Sequence, residues 1–223
     1  MAMAIRMNYR QIIITTVILL LFAVIGTALV SYTFDNTRER IAANERATLL
    51  RKLHRLILPE QHDNVLLDDA IAVHDETLLG TDEPVMVYRA LKDAKPVALV
   101  IAAIAPDGYS GSIKLLVGIN TDGTLSGVRA VAHRETPGLG DAIEEQRSDW
   151  VQQFNGASLE NPPLDRWKVR KDGGDFDQLT GATITPRAVV QAVRNALLYY
   201  RQHRETLFAM GEQVPATEST DNE

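Results

Sequence analysis

The stretch Pro84 to His133, PVMVYRALKDAKPVALVIAAIAPDGYSGSIKLLVGINTDGTLSGVRAVAH, decides the fold. It contains the apolar runs PVMVYRAL (84–91), VALVIAAIA (97–105), SIKLLVGI (112–119) and LSGVRAVAH (125–133), rich in the Val, Ile and Leu that suit strands. Between them lie Asp93 to Pro96, PDGYSG and NTDG, which supply the Gly, Asn and Asp of tight turns. Links this short cannot hold a crossover helix, so consecutive strands must run antiparallel. The expectation is an α+β domain built on an antiparallel sheet.

On the C-terminal side, Asp141 to Phe154 (DAIEEQRSDWVQQF) reads as a helix ended near Gly156. A longer helix is expected from Pro186 to about Phe208, with Thr185 as N-cap and Pro186 in the first helical position. Val189, Val193, Ala196, Leu197 and Tyr200 form its apolar stripe. Residues 209–223 lack apolar content and read as a disordered acidic tail holding Glu212, Glu218, Asp221 and Glu223.

On the N-terminal side, residues 12–32 (IIITTVILLLFAVIGTALVSY) carry no charge, and about 20 apolar residues cross a hydrocarbon core as an α-helix. The h-region of a cleaved signal is shorter, about 7–15 residues, so a retained anchor in membrane lipid is the favoured reading, after a short N-terminus of residues 1–11. Arg6 and Arg10 precede the span and Arg38, Arg40, Arg46 and Arg51 follow it, so positive charge does not decide its orientation. Residues 33–84 are assigned to a helix and linker. Leu49, Leu50, Leu53, Leu56 and Ile57 share one helical face before Pro59, and both a stalk and a surface helix of the domain fit that pattern. The domain itself is placed at residues 85–208.

The 223 residues carry a formal charge of −6, which argues against a nucleic-acid partner, since phosphate binding needs a basic face. With no cysteine, zinc-thiolate sites, cysteine-ligated clusters and thiol nucleophiles are excluded, and redox chemistry would need a borrowed cofactor. The five histidines, 54, 62, 74, 133 and 203, have no metal-ligand spacing. No hydrolase constellation is visible, and no catalytic residue is assigned.

Two motifs carry chemistry. Asp177-Gln178-Leu179-Thr180-Gly181-Ala182-Thr183 places a hydroxyl beside two small residues, just before a helix whose free amides and dipole favour an anion. Arg187 in the first turn would add charge for a phosphate. A secondary hydroxyl is a poor nucleophile, so any phosphoryl transfer onto it would need an outside catalyst and an accessible segment. His133-Arg134-Glu135-Thr136-Pro137-Gly138-Leu139-Gly140 follows the last strand, and its proline and glycines make a bent loop whose backbone can approach a flat ring. Taken singly, each also reads as an ordinary turn or capping loop. Gly108-Tyr109-Ser110-Gly111-Ser112-Ile113 is assigned to the fold as a β-turn. Trp150 and Phe154, four apart, could flank a ring, but that spacing is more common in a core. Lys168, Arg170 and Lys171 read as solvated edge-strand charges.

The pattern Asp, two variable residues, Ser or Thr, Gly, Ala, Thr resembles the flavinylation signal of the FMN-binding domain family, and HRETPGLG resembles a second element of that family. The single span, the length, and the wording HRETPGLGD and TGATITPRAVV resemble the G subunits of Rnf-type electron-transport complexes. The resemblance implies FMN joined covalently through its phosphate to Thr183 by a flavin transferase. It implies a flavin site drawing on Asp177, Thr180, Gly181, Ala182, Glu135, Thr136, Gly138, Leu139 and Gly140. It further implies an inner-membrane electron relay acting within a translocase, with its domain in the periplasm and the other Rnf subunits as partners. The C subunit of Na⁺-translocating NADH:quinone reductase, another anchored FMN-binding protein, and an anchored scaffold without cofactor are the alternative readings.

Overall fold

The computed structural model describes residues 9–209; residues 1–8 and 210–223, which include nearly all of the expected acidic tail, lie outside the described residues. The chain divides into two units at Leu49/Leu50.

The first unit is helical. Helix α1 runs unbroken over Tyr9–His54, so the apolar span and the helix expected after it are one element, continuing into the first residues of the second unit. No Pro interrupts it, and its charged continuation is rich in Arg, Glu, Ala and Leu, all good helix formers. An 18-residue window within α1 reaches a mean hydropathy of 2.8 with none of it buried, long and apolar enough to cross a membrane. The helix stops five residues before Pro59, which opens a 3-10 turn, Pro59–Gln61.

The second unit is a five-stranded antiparallel sheet in the order β1-β2-β3-β4-β5, a simple meander. Strands β2 (Val85–Lys92), β3 (Lys95–Ala105), β4 (Ile113–Asn120) and β5 (Leu125–Ala132) follow the expected runs, and all neighbours pair antiparallel. β1 (Ala70–Val73) is an addition: four residues of AIAV carry too little pattern to announce a strand, and it forms only by pairing with β2. It is followed by the single-turn helix α2 (Glu76–Leu79).

Both faces of the sheet are covered, which is why its strands read as continuous apolar runs rather than alternating ones. Leu99, Ile101, Leu115, Val117 and Ile119 join one core with Val189, Val193, Ala196 and Leu197 of helix α3 (Ile184–Ala209). On the opposite face lie Leu53, Leu56 and Ile57: Leu56 Cβ stands 3.2 Å from where a side chain at Gly118 would begin. The stripe from Leu49 to Ile57 thus serves at its C-terminal end as a lid on the sheet. Lys52 donates to the carbonyls of Ala130 and Val131 at 2.9 and 3.1 Å, occupying acceptors of the β5 edge. Burial there lowers the Lys52 pKa, against the raising effect of Glu144.

Two expected elements are corrected. Residues 141–154 are two 3-10 turns, Gly140–Ile143 and Trp150–Phe154, instead of one α-helix. Ser148 Oγ donates to the Ala142 carbonyl at 2.6 Å and accepts from the Trp150 amide at 3.1 Å, so a side chain takes over groups that a helix would pair internally. Lys168, Arg170 and Lys171 are exposed, but no edge strand forms; Arg170–Asp172 is a 3-10 turn.

Candidate functional site

Two turns bring the motifs together. In the first, the Thr136 carbonyl accepts from the amides of Leu139 and Gly140 at 3.1 and 3.0 Å, folding ETPGLG back on itself and leaving Pro137, Gly138 and Leu139 at the surface. In the second, the Ala182 amide bonds the Leu179 carbonyl at 3.2 Å, and Gly181 at φ +80° takes the third position, where a type II turn demands a positive φ. That turn delivers Thr183 directly in front of α3, half-exposed.

Helix α3 starts at Ile184, two residues before the expected Pro186. Proline is tolerated throughout a first turn, because amides there have no intrahelical partner, so Pro186 marks the turn and not its first residue. Thr185 is therefore inside the helix and fully buried at 1% exposure; it is not the cap. Its hydroxyl is donated to Glu135 Oε2.

The walls enclose a cavity of about 370 Å³, which falls within the range of about 300–1,000 Å³ for small-molecule sites. The ETPGLG side gives it Glu135, Thr136, Leu139 and Gly140; the other side gives Gly181, Ala182, Thr183, Ile184 and Thr185. Tyr109 of the Gly108–Ile113 turn completes it. Seven of the ten expected site residues thus share one cavity. Asp177, Thr180 and Gly138 are not in its lining. Asp177 pairs with Arg170 at 2.8 Å, and its carbonyl accepts from Trp150 Nε1 at 2.7 Å.

The three lining residues that sequence reasoning passed over are Tyr109, Ile184 and Thr185. Tyr109, assigned there to the fold alone, was signalled only by its setting on a glycine-bracketed turn; in the fold it is 66% exposed and fills no core. Ile184 and Leu139 are likewise 44% and 42% exposed, so three large apolar groups stand uncovered around one opening. Trp150 and Phe154 go to the core instead, in an aromatic cluster where Phe154 stacks on Phe176 with ring centroids 5.0 Å apart. Arg187 is also engaged elsewhere, holding Asp172 through two contacts of 2.5 and 2.6 Å. Hydrogen bonding to Arg187 is the main reason that the Asp172 carboxyl is held below its ordinary pKa.

The cradle suits a flat, mostly apolar ring with a phosphate tail. A Cβ on Gly181 would lie 2.9 Å from Leu139 Cδ2, and one on Gly140 would lie 2.9 Å from Glu135 Cβ and 3.0 Å from Thr185 Oγ1. The two walls approach this closely only because glycine stands at both points. Large apolar groups stand exposed at the cavity, and its lining also includes threonines and the first residues of α3, whose hydroxyls and free amides are donors that an anion needs.

Behind the loop, the Glu135 amide donates to His133 Nδ1 at 3.2 Å, which leaves the ring proton on Nε2 to be donated to Glu144 Oε1 at 2.9 Å.

Both motifs lie within a stretch that matches a known family. Residues 108–198 match the family described as FMN-binding domain, and residues 3–56 match the RnfG N-terminal region. The chain is 50% identical over 193 residues to the G subunit of the ion-translocating oxidoreductase complex of Shewanella baltica, covering 86% of this chain and 91% of that one. It is 50% identical over 190 residues to the G subunit of Vibrio cholerae, covering 85% and 90%. With that of Pseudoalteromonas atlantica it shares 47% over 196 residues, covering 88% and 91%. Among solved structures, the C subunit of Na⁺-translocating NADH-quinone reductase from Parabacteroides distasonis is similar with a TM-score of 0.44 and 19% identity, over 73% of this chain and 93% of that one. With a cavity joining both motifs, a family match at each end and half-identical relatives along nearly its whole length, the chain belongs to the G-subunit family of ion-translocating oxidoreductase complexes.

Proposed function

We propose that this chain is a one-cofactor electron relay in a membrane-bound ion-translocating oxidoreductase complex, carrying FMN covalently through its phosphate on Thr183. The observation that carries the proposal is the position of Thr183: half-exposed, on the cavity wall, one residue ahead of α3. Of the three neighbouring threonines, Thr185 is buried with its hydroxyl committed to Glu135, and Thr180 lies outside the cavity. Thr183 alone combines access for a modifying enzyme with a cavity at hand for the ring.

FMN, when bound, supplies the ability to take up and release electrons, and the protein fixes its place and potential. The chain's own residues do four things. Thr183 would hold the phosphate by an ester bond, and the first amides of α3 would offset the remaining charge. Leu139, Ile184 and Tyr109, exposed at the cavity, would cover the apolar ring. Glycine at 140 and 181 lets the walls close. Helix α1 anchors the whole in the inner membrane, with the second unit in the periplasm, where a flavin transferase loads it and the other members of the complex exchange electrons with it. Asp177, exposed and beside the acceptor loop, fits recognition by the transferase better than contact with the ring.

The test is to express the full chain with and without a flavin transferase, denature it, and look for protein-bound yellow fluorescence. Fluorescence is expected only with the transferase, is lost in Thr183→Val, and maps by peptide mass to Thr183. A chain that stays unlabelled, or an adduct on Thr180 or Thr185, sinks the proposal.

A further inference from the structure

Glu135 is a buried carboxylate, 4% exposed, on the wall of the cavity. Its two oxygens are used separately. Oε1 accepts the Ser110 amide at 3.0 Å, from the turn that carries Tyr109, and Oε2 accepts the Thr185 hydroxyl, from the first turn of α3. Three segments distant in sequence therefore meet on one side chain: the β3–β4 turn, the ETPGLG loop and the start of the helix that presents Thr183. The space around it is closed, since a Cβ at Gly108 or at Gly140 would lie about 3.0 Å from one of its oxygens.

Its charge is as informative as its position. Both oxygens act as acceptors toward donors, the arrangement of a carboxylate. Among the described residues, no Lys, Arg or His side chain pairs with it. The charge is balanced by an amide, a hydroxyl and the positive end of α3, and it faces the cavity without a counter-cation.

We propose that Glu135 is a positioning residue for the flavin. It clamps the Tyr109 turn to the first turn of α3, so that the ring has one seat, and it places a fixed negative charge beside the ring that opposes the arrival of electrons and holds the reduction potential down. This rests on the reading of Thr183 as the attachment point. Removing the charge while keeping the shape separates the two effects. A glutamine accepts the Ser110 amide through its oxygen and donates its NH₂ to a reoriented Thr185 hydroxyl, whereas an alanine removes the clamp altogether.

The experiment uses the full chain in detergent, loaded by a flavin transferase, as wild type, Glu135→Gln and Glu135→Ala. Spectroelectrochemical titration gives the potential, and circular dichroism in the visible flavin bands reports how uniquely the ring is held. Glu135→Gln is expected to carry bound flavin with wild-type visible dichroism and a potential raised by about tenfold in the one-electron equilibrium, about 59 mV. Glu135→Ala is expected to lose most of the visible dichroism. An unchanged potential in Glu135→Gln overturns the electrostatic role. Wild-type dichroism in Glu135→Ala overturns the clamp; if that variant does not fold, Thr185→Val, which removes one strut, takes its place with the same criterion. A wild-type protein that carries no covalent flavin would sink the attachment reading instead, so the two failures are distinguishable.

Discussion

At the scale of single residues, Thr185 and Gly181 show how far a motif's letters underdetermine its roles. The TGATIT stretch offers three hydroxyls, and the proline that follows assigns Thr185 to the cap. The fold buries it and gives its hydroxyl to Glu135. A capping threonine costs about 1 kcal/mol when removed, but here Thr185→Val strips a buried carboxylate of a donor, for which roughly 1–3 kcal/mol is the expected loss. Urea unfolding of the full chain in detergent, followed by near-UV dichroism, checks this; an unchanged midpoint would mean that water or another donor replaces the hydroxyl. Gly181→Ala acts differently. At φ +80° with Leu139 Cδ2 2.9 Å from the added methyl, it strains the backbone and pushes Leu139 across the opening. The expected outcome is a stability loss of about 1 kcal/mol or more together with a several-fold drop in the yield of covalent flavin. Full flavin loading in this variant would show that the walls have more room than the contact allows.

At the scale of elements, what was legible depended on whether local pattern or tertiary partners determined the outcome. Strands β2 to β5 were readable because long apolar runs between turn residues leave no other structure open. β1 was not, because four residues acquire a strand identity only from β2. The 141–154 segment has helical periodicity, but Ser148 supplies the backbone with a competing partner, and Trp150 and Phe154 are drawn into an aromatic cluster. The two motif loops were legible as letters. Their meeting at one site was implied by the family resemblance alone, because the contacts that make it, Glu135 with Thr185 and Leu139 beside Gly181, join residues that no spacing connects.

Helix α3 and strand β2 also carry a pH-dependent contribution to stability. Burial raises the phenol pKa values of Tyr88, Tyr199 and Tyr200 above the ordinary 10.0. The folded state thus favours the neutral phenol more than the unfolded state does. This contribution is complete below about pH 10, where both states are protonated, and is lost as pH climbs from there through the raised folded values. In an alkaline titration followed by phenolate absorbance, the phenolates of these three tyrosines are expected to appear late and together with the loss of helical dichroism. Their ionisation at ordinary pH with the fold intact would contradict the assigned burial.

At the scale of the whole molecule, the proposed relay requires the second unit to lie on the periplasmic side of the membrane. Basic residues lie on both sides of the apolar span, and a folded unit of this size can be translocated regardless of such a count. The attachment proposed for Thr183 favours the periplasm. A flavin joined by an ester through its phosphate cannot diffuse away, an advantage where no cytosolic pool of free FMN replaces a lost cofactor. The chain provides a clean way to decide, because it has no cysteine of its own. A single Asp82→Cys, at an exposed position ahead of β2, gives one reactive thiol on the second unit. If that unit is periplasmic, a membrane-impermeant maleimide labels the variant in cells whose outer membrane alone has been opened, to the same extent as after full lysis. Labelling only after lysis of the inner membrane would place the unit in the cytoplasm, and with it the flavin, its loading enzyme and its electron partners.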